Sequence, residues 1–311
     1  MEFQFTSHFP KTRPLRLFVA SAIFASAFGA ISTASYAQAP TEATPANPTT
    51  FSSKLLLTGG VSTIEGAAGG GLTPWAVIGG NGTVDQFGAN VFATNVRAKD
   101  YNLSVIGGLV GVYDRAEFSF AKQTFDTRNV GGLLGLGNGY KFEQQVLGLK
   151  VRVAGDAVLE QDSFLPQISV GLLHKKNNRG QLLTALGIPK DKGTDLYVSA
   201  TKLFLNSSIL VNGTVRFTKA NQTGILGFNT GSYKPKLEGS IAYLLRRDLA
   251  IGAEFRAKPD KLGIKENNWS DLFIAWAPTK NVSVTLAYAD LGNIVIKDKQ
   301  RATYVSVQVG F

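Results

Sequence analysis

Apolar and polar residues alternate along much of this chain, the pattern of a β-strand with two different faces. Residues 302–311 show it most clearly. One face is apolar and ends on the C-terminal residue: Thr303, Val305, Val307, Val309 and Phe311. The opposite face is smaller and more polar: Ala302, Tyr304, Ser306, Gln308 and Gly310. Such a strand suits a closed sheet with lipid outside and water inside.

Fourteen segments follow this pattern and are predicted as strands: 54–64, 72–80, 86–96, 101–112, 116–125, 142–154, 166–175, 194–204, 208–218, 236–245, 249–257, 269–277, 281–290 and 302–311. Their lengths approach the roughly 9 to 11 residues that a tilted strand needs to cross a bilayer. The predicted fold is all-β, a transmembrane antiparallel up-and-down barrel. An even strand number places both ends in the periplasm, so the expectation is fourteen strands with twelve as the fallback.

Connection lengths support the same topology, because outer-membrane barrels have short periplasmic turns and longer outer loops. Short connections are predicted at 113–115, 206–207, 246–248 and 278–281. Long ones alternate with them at 126–141, 176–193, 219–235, 258–268 and 291–301. Residues 155–165 are an exception, a long connection on the predicted periplasmic side.

Charged residues within the strands fix the predicted register, because an arginine facing lipid at mid-bilayer costs about 2 to 4 kcal/mol. The candidate lumen or pore residues are Glu117, Lys150, Arg152, Arg216, Glu238, Glu254, Arg256 and Asp271. Pairing of these charges across the lumen would close it, whereas unpaired cations would select anionic solutes. Trp269 and Trp276, at the two ends of one strand, are expected in the two aromatic girdles.

The N-terminus predicts export. Lys11, Arg13 and Arg16 precede an apolar run at 17–31 that is too short for a spanning helix. Residues 1–37 are predicted as a cleaved signal peptide and 38–53, rich in Pro and Thr, as a flexible periplasmic segment before a barrel at 54–311. The chain has no cysteine. Its mean hydropathy is +0.04, as expected for a barrel in which apolar lipid-facing residues and polar lumen-facing residues offset each other in the average.

The formal net charge of +10 is concentrated in the long loops. This basic outer rim is either an ordinary solvated surface or a contact for lipopolysaccharide phosphates, with Lys175, Lys176 and Arg179 as candidates. Nucleic acid is not an expected partner, because no recognition motif accompanies the charge.

Catalytic and metal-binding chemistry is not predicted. His174, the one histidine beyond the signal peptide, has no nucleophile motif or acidic partner that can be assigned to it. Asp156, Glu160 and Asp162 do not have the spacing of a calcium loop. No enzyme activity, cofactor or metal is therefore expected.

Two resemblances add to these predictions. The final strand resembles the C-terminal strand of Gram-negative outer-membrane proteins, which implies that Phe311 is an assembly signal read by the barrel assembly machinery. Most of the chain resembles a proteobacterial outer-membrane family of unknown function, through LLLTGGVSTIEGAAGGGLTPWAVIGG, GLKVRVAGDAVLEQDSFLPQISVG, YVSATKLFL, KANQTGILGF and AYADLGNI. This second resemblance implies a barrel in the outer membrane but no activity.

The first functional hypothesis is a passive channel for small polar or anionic solutes. A closed structural or lipopolysaccharide-binding barrel is the alternative. The third hypothesis is a transporter of hydrophobic molecules, although residues 38–53 are too short to form a plug in the lumen. The oligomeric state stays open.

Overall fold

The barrel is closed and has twelve antiparallel strands. The computed structural model describes residues 54–259 and 266–311. The predicted signal peptide and the segment 38–53 lie outside the described residues. After two short strands, β1 (Val61–Ser62) and β2 (Ala68–Gly69), the barrel strands are β3 (Phe87–Ala98), β4 (Asn102–Val112), β5 (Ala116–Asp126), β6 (Lys141–Ala154), β7 (Gln167–Asn177), β8 (Lys192–Phe204), β9 (Ile209–Thr218), β10 (Lys234–Arg246), β11 (Leu249–Arg256), β12 (Trp269–Thr279), β13 (Val282–Asp290) and β14 (Arg301–Gly310).

Each barrel strand pairs with its neighbours in sequence, and β14 pairs with β3 to close the cylinder, from Ala302 opposite Ala98 to Gly310 opposite Asn90. At the C-terminus, the Phe311 carbonyl accepts hydrogen bonds from the Ala89 and Asn81 amides at 3.0 and 3.1 Å. Closure leaves no unpaired sheet edge in the lipid, which the bilayer requires.

The prediction of fourteen strands is wrong, and the fallback of twelve is confirmed. The twelve predicted segments from 86–96 onward coincide with β3 to β14. The segments 54–64 and 72–80 are not barrel strands, because residues 61–79 are all buried. A barrel strand must expose every second side chain to lipid.

The two faces of the barrel differ as the alternation predicts. In β14, Val305 and Val307 are exposed on the outside, whereas Tyr304 and Ser306 are buried inside. The outer surface as a whole carries an apolar band that includes Val91, Phe120, Leu147, Val198, Ile241 and Leu286. An apolar band around a closed barrel is the surface that lipid covers.

In the part of the chain that the structure describes, helical structure occurs in the connections between strands. Short helices α1 (Val130–Leu133) and α2 (Gly180–Ala185) lie in the outer loops, and a 3-10 turn (Leu205–Ser207) lies in a periplasmic connection. Within the described residues, no helix has the length and apolar character needed to span a membrane.

Candidate functional site in the barrel lumen

The lumen is filled by residues 58–80, which form a folded plug. The plug enters from the periplasmic end, and β1 and β2 pair into a small hairpin in which Val61 is opposite Gly69. At the hairpin tip, Ile64 donates its amide to the Gly71 carbonyl at 2.9 Å. Gly66 has a φ of +95° there, a conformation that favours glycine. The tip presents Glu65 in the outer part of the lumen.

Polar side chains of the barrel wall bind the plug backbone on its returning arm. The Pro74 carbonyl accepts hydrogen bonds from the hydroxyls of Thr214 at 2.8 Å and Ser199 at 3.2 Å. The Ala76 carbonyl accepts bonds from Ser169 and Gln167 at 2.5 and 2.7 Å. These bonds satisfy plug backbone groups that would otherwise be buried without a partner.

A buried ion pair holds the plug near its periplasmic end. Lys150 Nζ lies 3.0 Å from Glu117 Oε2. Glu117 also accepts the amides of Ala68 at 3.0 Å and Gly79 at 2.8 Å, while Lys150 donates to the carbonyls of Ala68 and Val77 at 3.1 and 2.8 Å. Both predicted lumen residues therefore contact the plug as well as each other.

A basic cage surrounds Glu65 in the outer part of the lumen and consists of Lys175, Arg216 and Arg256. Glu65 Oε1 lies 2.5 Å from Lys175 Nζ and 3.0 Å from Arg256 Nη2, and Glu65 Oε2 lies 3.0 Å from Arg216 Nη1.

The basic cage is also bound to the barrel wall. Lys175 contacts Asp195 at 2.6 Å, and Arg216 contacts Glu238 at 2.5 Å. All of these side chains are buried, so each charge depends on its partners for compensation.

Glu254 and Asp271, opposite each other on β11 and β12, lie on the periplasmic side of the cage. Glu254 accepts the Leu72 amide at 2.8 Å and the Thr73 hydroxyl at 2.5 Å. Thr73 Oγ1 is also 2.5 Å from Ser240 Oγ. Of the predicted lumen residues, Glu254 therefore binds the plug directly, and Asp271 is buried beside it on the neighbouring strand.

Arg152 lies at the periplasmic rim and contacts Asp114 at 2.7 Å and Asp156 at 3.3 Å. Asp114 also pairs with Lys54 at 2.7 Å. Lys54 lies four residues before the start of the plug. This predicted pore residue therefore anchors the entrance of the plug.

An apolar cavity of about 50 Å³ lies between the plug tip and the outer loops. We call it the outer pocket. Its floor includes Ile64 and Leu72 of the plug, and its walls include Val96, Tyr101, Phe125 and Trp269. Arg256 connects the pocket to the basic cage, because it donates to the Leu72 carbonyl at 2.9 Å and lies over the Trp269 ring at 5.6 Å.

Two sequence predictions about the outer rim need correction. Lys175 cannot contact lipopolysaccharide, since its ammonium is buried in the lumen with Glu65 and Asp195. Trp269 is not a girdle residue, since it faces the lumen, whereas Trp276 is exposed and donates to Asp248 at 3.3 Å. Seven residues separate the two tryptophans, an odd number that puts them on opposite faces of one strand.

The other two lipopolysaccharide candidates remain on the outside. Lys176 is exposed, and Arg179 packs its guanidinium over the Tyr140 ring at 4.9 Å. Their contact with lipopolysaccharide stays a prediction.

His174 is exposed on the outer surface, and its Nδ1 lies 3.0 Å from the Thr194 hydroxyl. Among the described residues, no group of three or more His, Asp or Glu side chains could hold a metal ion.

Sequence reasoning missed the plug, although one feature of the sequence points to it. Pro74 is the third residue of the predicted strand 72–80, and proline cannot donate a ladder hydrogen bond in a sheet without edges. The segment is also apolar or small on both faces, which fits burial on all sides better than contact with lipid on one side.

The chain belongs to DUF3034, described as a protein of unknown function, whose family model matches residues 58–308. The match begins at the plug, so plug and barrel are parts of one family unit. No curated protein is significantly similar to the chain.

Similar solved structures are barrels of the outer membrane. The KdgM porin has a TM-score of 0.46 and 11% identity and covers 71% of this chain and 99% of its own. The NanC porin has a TM-score of 0.47 and 11% identity, with 72% and 98% coverage. Outer membrane phospholipase A from Escherichia coli has a TM-score of 0.41 and 12% identity, with 71% and 92% coverage. Likeness this weak carries no information about solute or activity.

The chain's own geometry gives its location. A closed barrel of twelve strands with an external apolar band and short turns at one end is an outer-membrane protein.

Proposed function

We propose that this protein is a gated outer-membrane channel for small amphipathic or apolar molecules, with residues 58–80 as the gate. The observation that carries the proposal is the apolar outer pocket directly above a lumen filled by the plug. A solute from outside would meet apolar side chains first, and passage would require the plug to move.

The composition of the lumen supports this proposal over an open channel for polar solutes. Glu117, Lys150 and Arg216 are buried in contacts with each other or with the plug. Buried pairs of this kind give little net stabilisation once desolvation is included. They do make the arrangement specific, which suits a segment with one defined seated position.

A reversible crosslink tests whether the plug is the gate. Thr73 of the plug and Ser240 of β10 have their hydroxyl oxygens 2.5 Å apart, and the chain has no cysteine of its own. The double variant T73C/S240C should therefore form a disulfide that fixes the plug to the wall. The single variants T73C and S240C are matched controls.

Swelling of proteoliposomes should be measured in phenyl glucoside, an uncharged amphipathic solute, and in glucose. We expect faster swelling in phenyl glucoside than in glucose for the reduced double variant and for both controls. Oxidation should abolish swelling for the double variant only. Swelling unchanged by oxidation would contradict the gate, and faster entry of glucose would favour the polar channel. No swelling in any form would favour a closed structural barrel.

A further inference from the structure

We infer that the basic cage is a binding site for the carboxylate of an amphipathic solute, and that Glu65 occupies this site as an internal competitor when the plug is seated. This inference rests on the proposed function and names the class of solute: an apolar tail that ends in one carboxylate.

The contacts of Glu65 are those expected of a bound carboxylate ligand. Both of its oxygens are engaged by cations, Oε1 by Lys175 and Arg256 and Oε2 by Arg216. The three cations come from three different strands, β7, β9 and β11, so the barrel wall alone assembles the site. Glu65, by contrast, belongs to the plug and leaves when the plug moves.

The charge balance of the cage calls for one anion. Within the described residues, ion pairs of Lys175, Arg216 and Arg256 run to Glu65, Asp195 and Glu238. Asp195 and Glu238 are fixed on the wall. Displacement of Glu65 leaves three cations against two anions, and a buried uncompensated charge is strongly unfavourable. A monocarboxylate that takes the place of Glu65 restores neutrality.

The outer pocket adjoins the cage, so one molecule can reach both. Ile64 and Leu72 form the pocket floor and flank the tip that carries Glu65. On the cage side, Arg256 contacts both Leu72 and Trp269 of the pocket, and Lys175 donates to the Thr223 carbonyl at 3.1 Å. When the plug carries Ile64 and Glu65 away together, the pocket opens onto the cage. A solute with its tail against the wall residues Val96, Tyr101 and Trp269 would then place its head group against these cations. The combination of an apolar pocket and a few convergent charged groups is typical of small-molecule sites.

Removal of the competitor tests the inference. Binding of 6-bromohexanoate and of 6-bromohexan-1-ol should be measured by bromine quenching of tryptophan fluorescence in lipid nanodiscs. The background is Trp276→Phe, which removes the lipid-exposed tryptophan. We expect Glu65→Gln to raise affinity for the carboxylate at least tenfold and to leave the alcohol unchanged.

Two further variants control for indirect effects. Asp156→Asn removes a carboxylate at the periplasmic rim that pairs with Arg152 rather than with a cage cation, and it should give no carboxylate-specific gain. Lys175→Gln added to Glu65→Gln should abolish the gain. Equal gains for alcohol and carboxylate, or no gain for the carboxylate, would overturn the inference.

A second measurement keeps Glu65 in place in case its replacement prevents folding. In the single variant T73C, a water-soluble maleimide should react slowly because Thr73 is buried. Hexanoate, but not hexanol, should accelerate the labelling by displacing Glu65 and the plug. Equal labelling rates with hexanoate and hexanol would refute the competition between solute and Glu65. The gate proposal would still stand in that case if oxidation of T73C/S240C controls swelling in phenyl glucoside.

Discussion

Lys176 of β7 lies directly opposite Lys192 of β8, and both side chains are exposed on the outside of the barrel at its outer end. Like charges directly opposite on an antiparallel pair destabilise it, whereas opposite charges there stabilise it by about 0.2 to 1 kcal/mol. An external anion between the two ammonium groups would reverse the sign of this effect. A phosphate group of lipopolysaccharide has that charge and occurs at that height of the membrane.

The lysine pair therefore predicts that the effect of Lys176→Gln on the free energy of unfolding has opposite signs in detergent and in membranes with lipopolysaccharide. In detergent, Lys176→Gln should raise the free energy of unfolding by a few tenths of a kcal/mol through loss of repulsion. In membranes with lipopolysaccharide, the same variant should bind lipopolysaccharide more weakly. Its free energy of unfolding should then be lower than that of the natural protein, because the bound phosphate no longer stabilises this strand pair. Urea unfolding in both media measures the effect. Arg179→Gln should also weaken binding, whereas Lys175→Gln should not act through lipopolysaccharide contact because Lys175 is buried. The same response in both media would contradict a phosphate contact.

Glu117 and Lys150 should be far more sensitive to single than to double replacement. Glu117→Ala leaves a buried lysine without its counter-charge, which costs about 3 to 5 kcal/mol. The double variant Glu117→Leu/Lys150→Met removes both charges and should recover much of this loss. Unfolding should be followed by the temperature at which the folded band disappears on detergent gels. Equal loss in single and double variants would show that the two residues act independently.

The double variant should also loosen the plug, because the Ala68 and Gly79 amides lose their acceptor. We therefore expect faster maleimide labelling of T73C in this background even where thermal stability recovers.

Asp156 should make the periplasmic connection sensitive to acid. Burial raises the pKa of this carboxyl, but hydrogen bonds from the Leu159 and Val158 amides and the charge of Arg152 together lower it below its ordinary value. A lowered pKa in the folded state stabilises the fold above the unfolded-state pKa of about 4 and loses that contribution as pH falls through the folded-state value.

Asp156→Asn should therefore lower stability by about 1 kcal/mol at neutral pH. The difference from the natural protein should shrink below about pH 4. Urea unfolding across pH measures it, and Asp162→Asn in the same connection is a matched control. A difference that stays constant with pH would contradict the assignment to the charged carboxylate.

Phe311 combines two features that substitution and deletion can separate. Its ring is exposed on the lipid side, while its backbone bonds Ala89 and Asn81. Phe311→Ala keeps the backbone bonds, so we expect lower assembly in cells but normal refolding in detergent. Deletion of Phe311 should impair both. Assembly is measured as heat-modifiable protein in the outer membrane. Normal assembly of Phe311→Ala in cells would contradict an aromatic assembly signal.

The alternation of residues determined the barrel from Phe87 onward, because successive side chains on a strand point to opposite faces and lipid tolerates only apolar ones. It predicted the twelve segments that form β3 to β14, the inward direction of Arg216 and Glu254, and the alternation of short and long connections. It also predicted strands at 54–64 and 72–80, which are not barrel strands. The same rule places Trp269 and Trp276 on opposite faces, and Lys175 inward beside an outward Lys176. Those corrections were available from parity alone.

The plug and its contacts were decided by the tertiary structure. Residues 61–79 are buried on all sides. Pro74 argues against a barrel strand there, but no local pattern shows which distant residues surround the segment. Glu65 is 110 residues from Lys175 and 191 residues from Arg256 along the chain. These charges meet only because closure of the barrel brings distant strands around one central segment. The periodicity within a strand carries no information about what fills the barrel lumen.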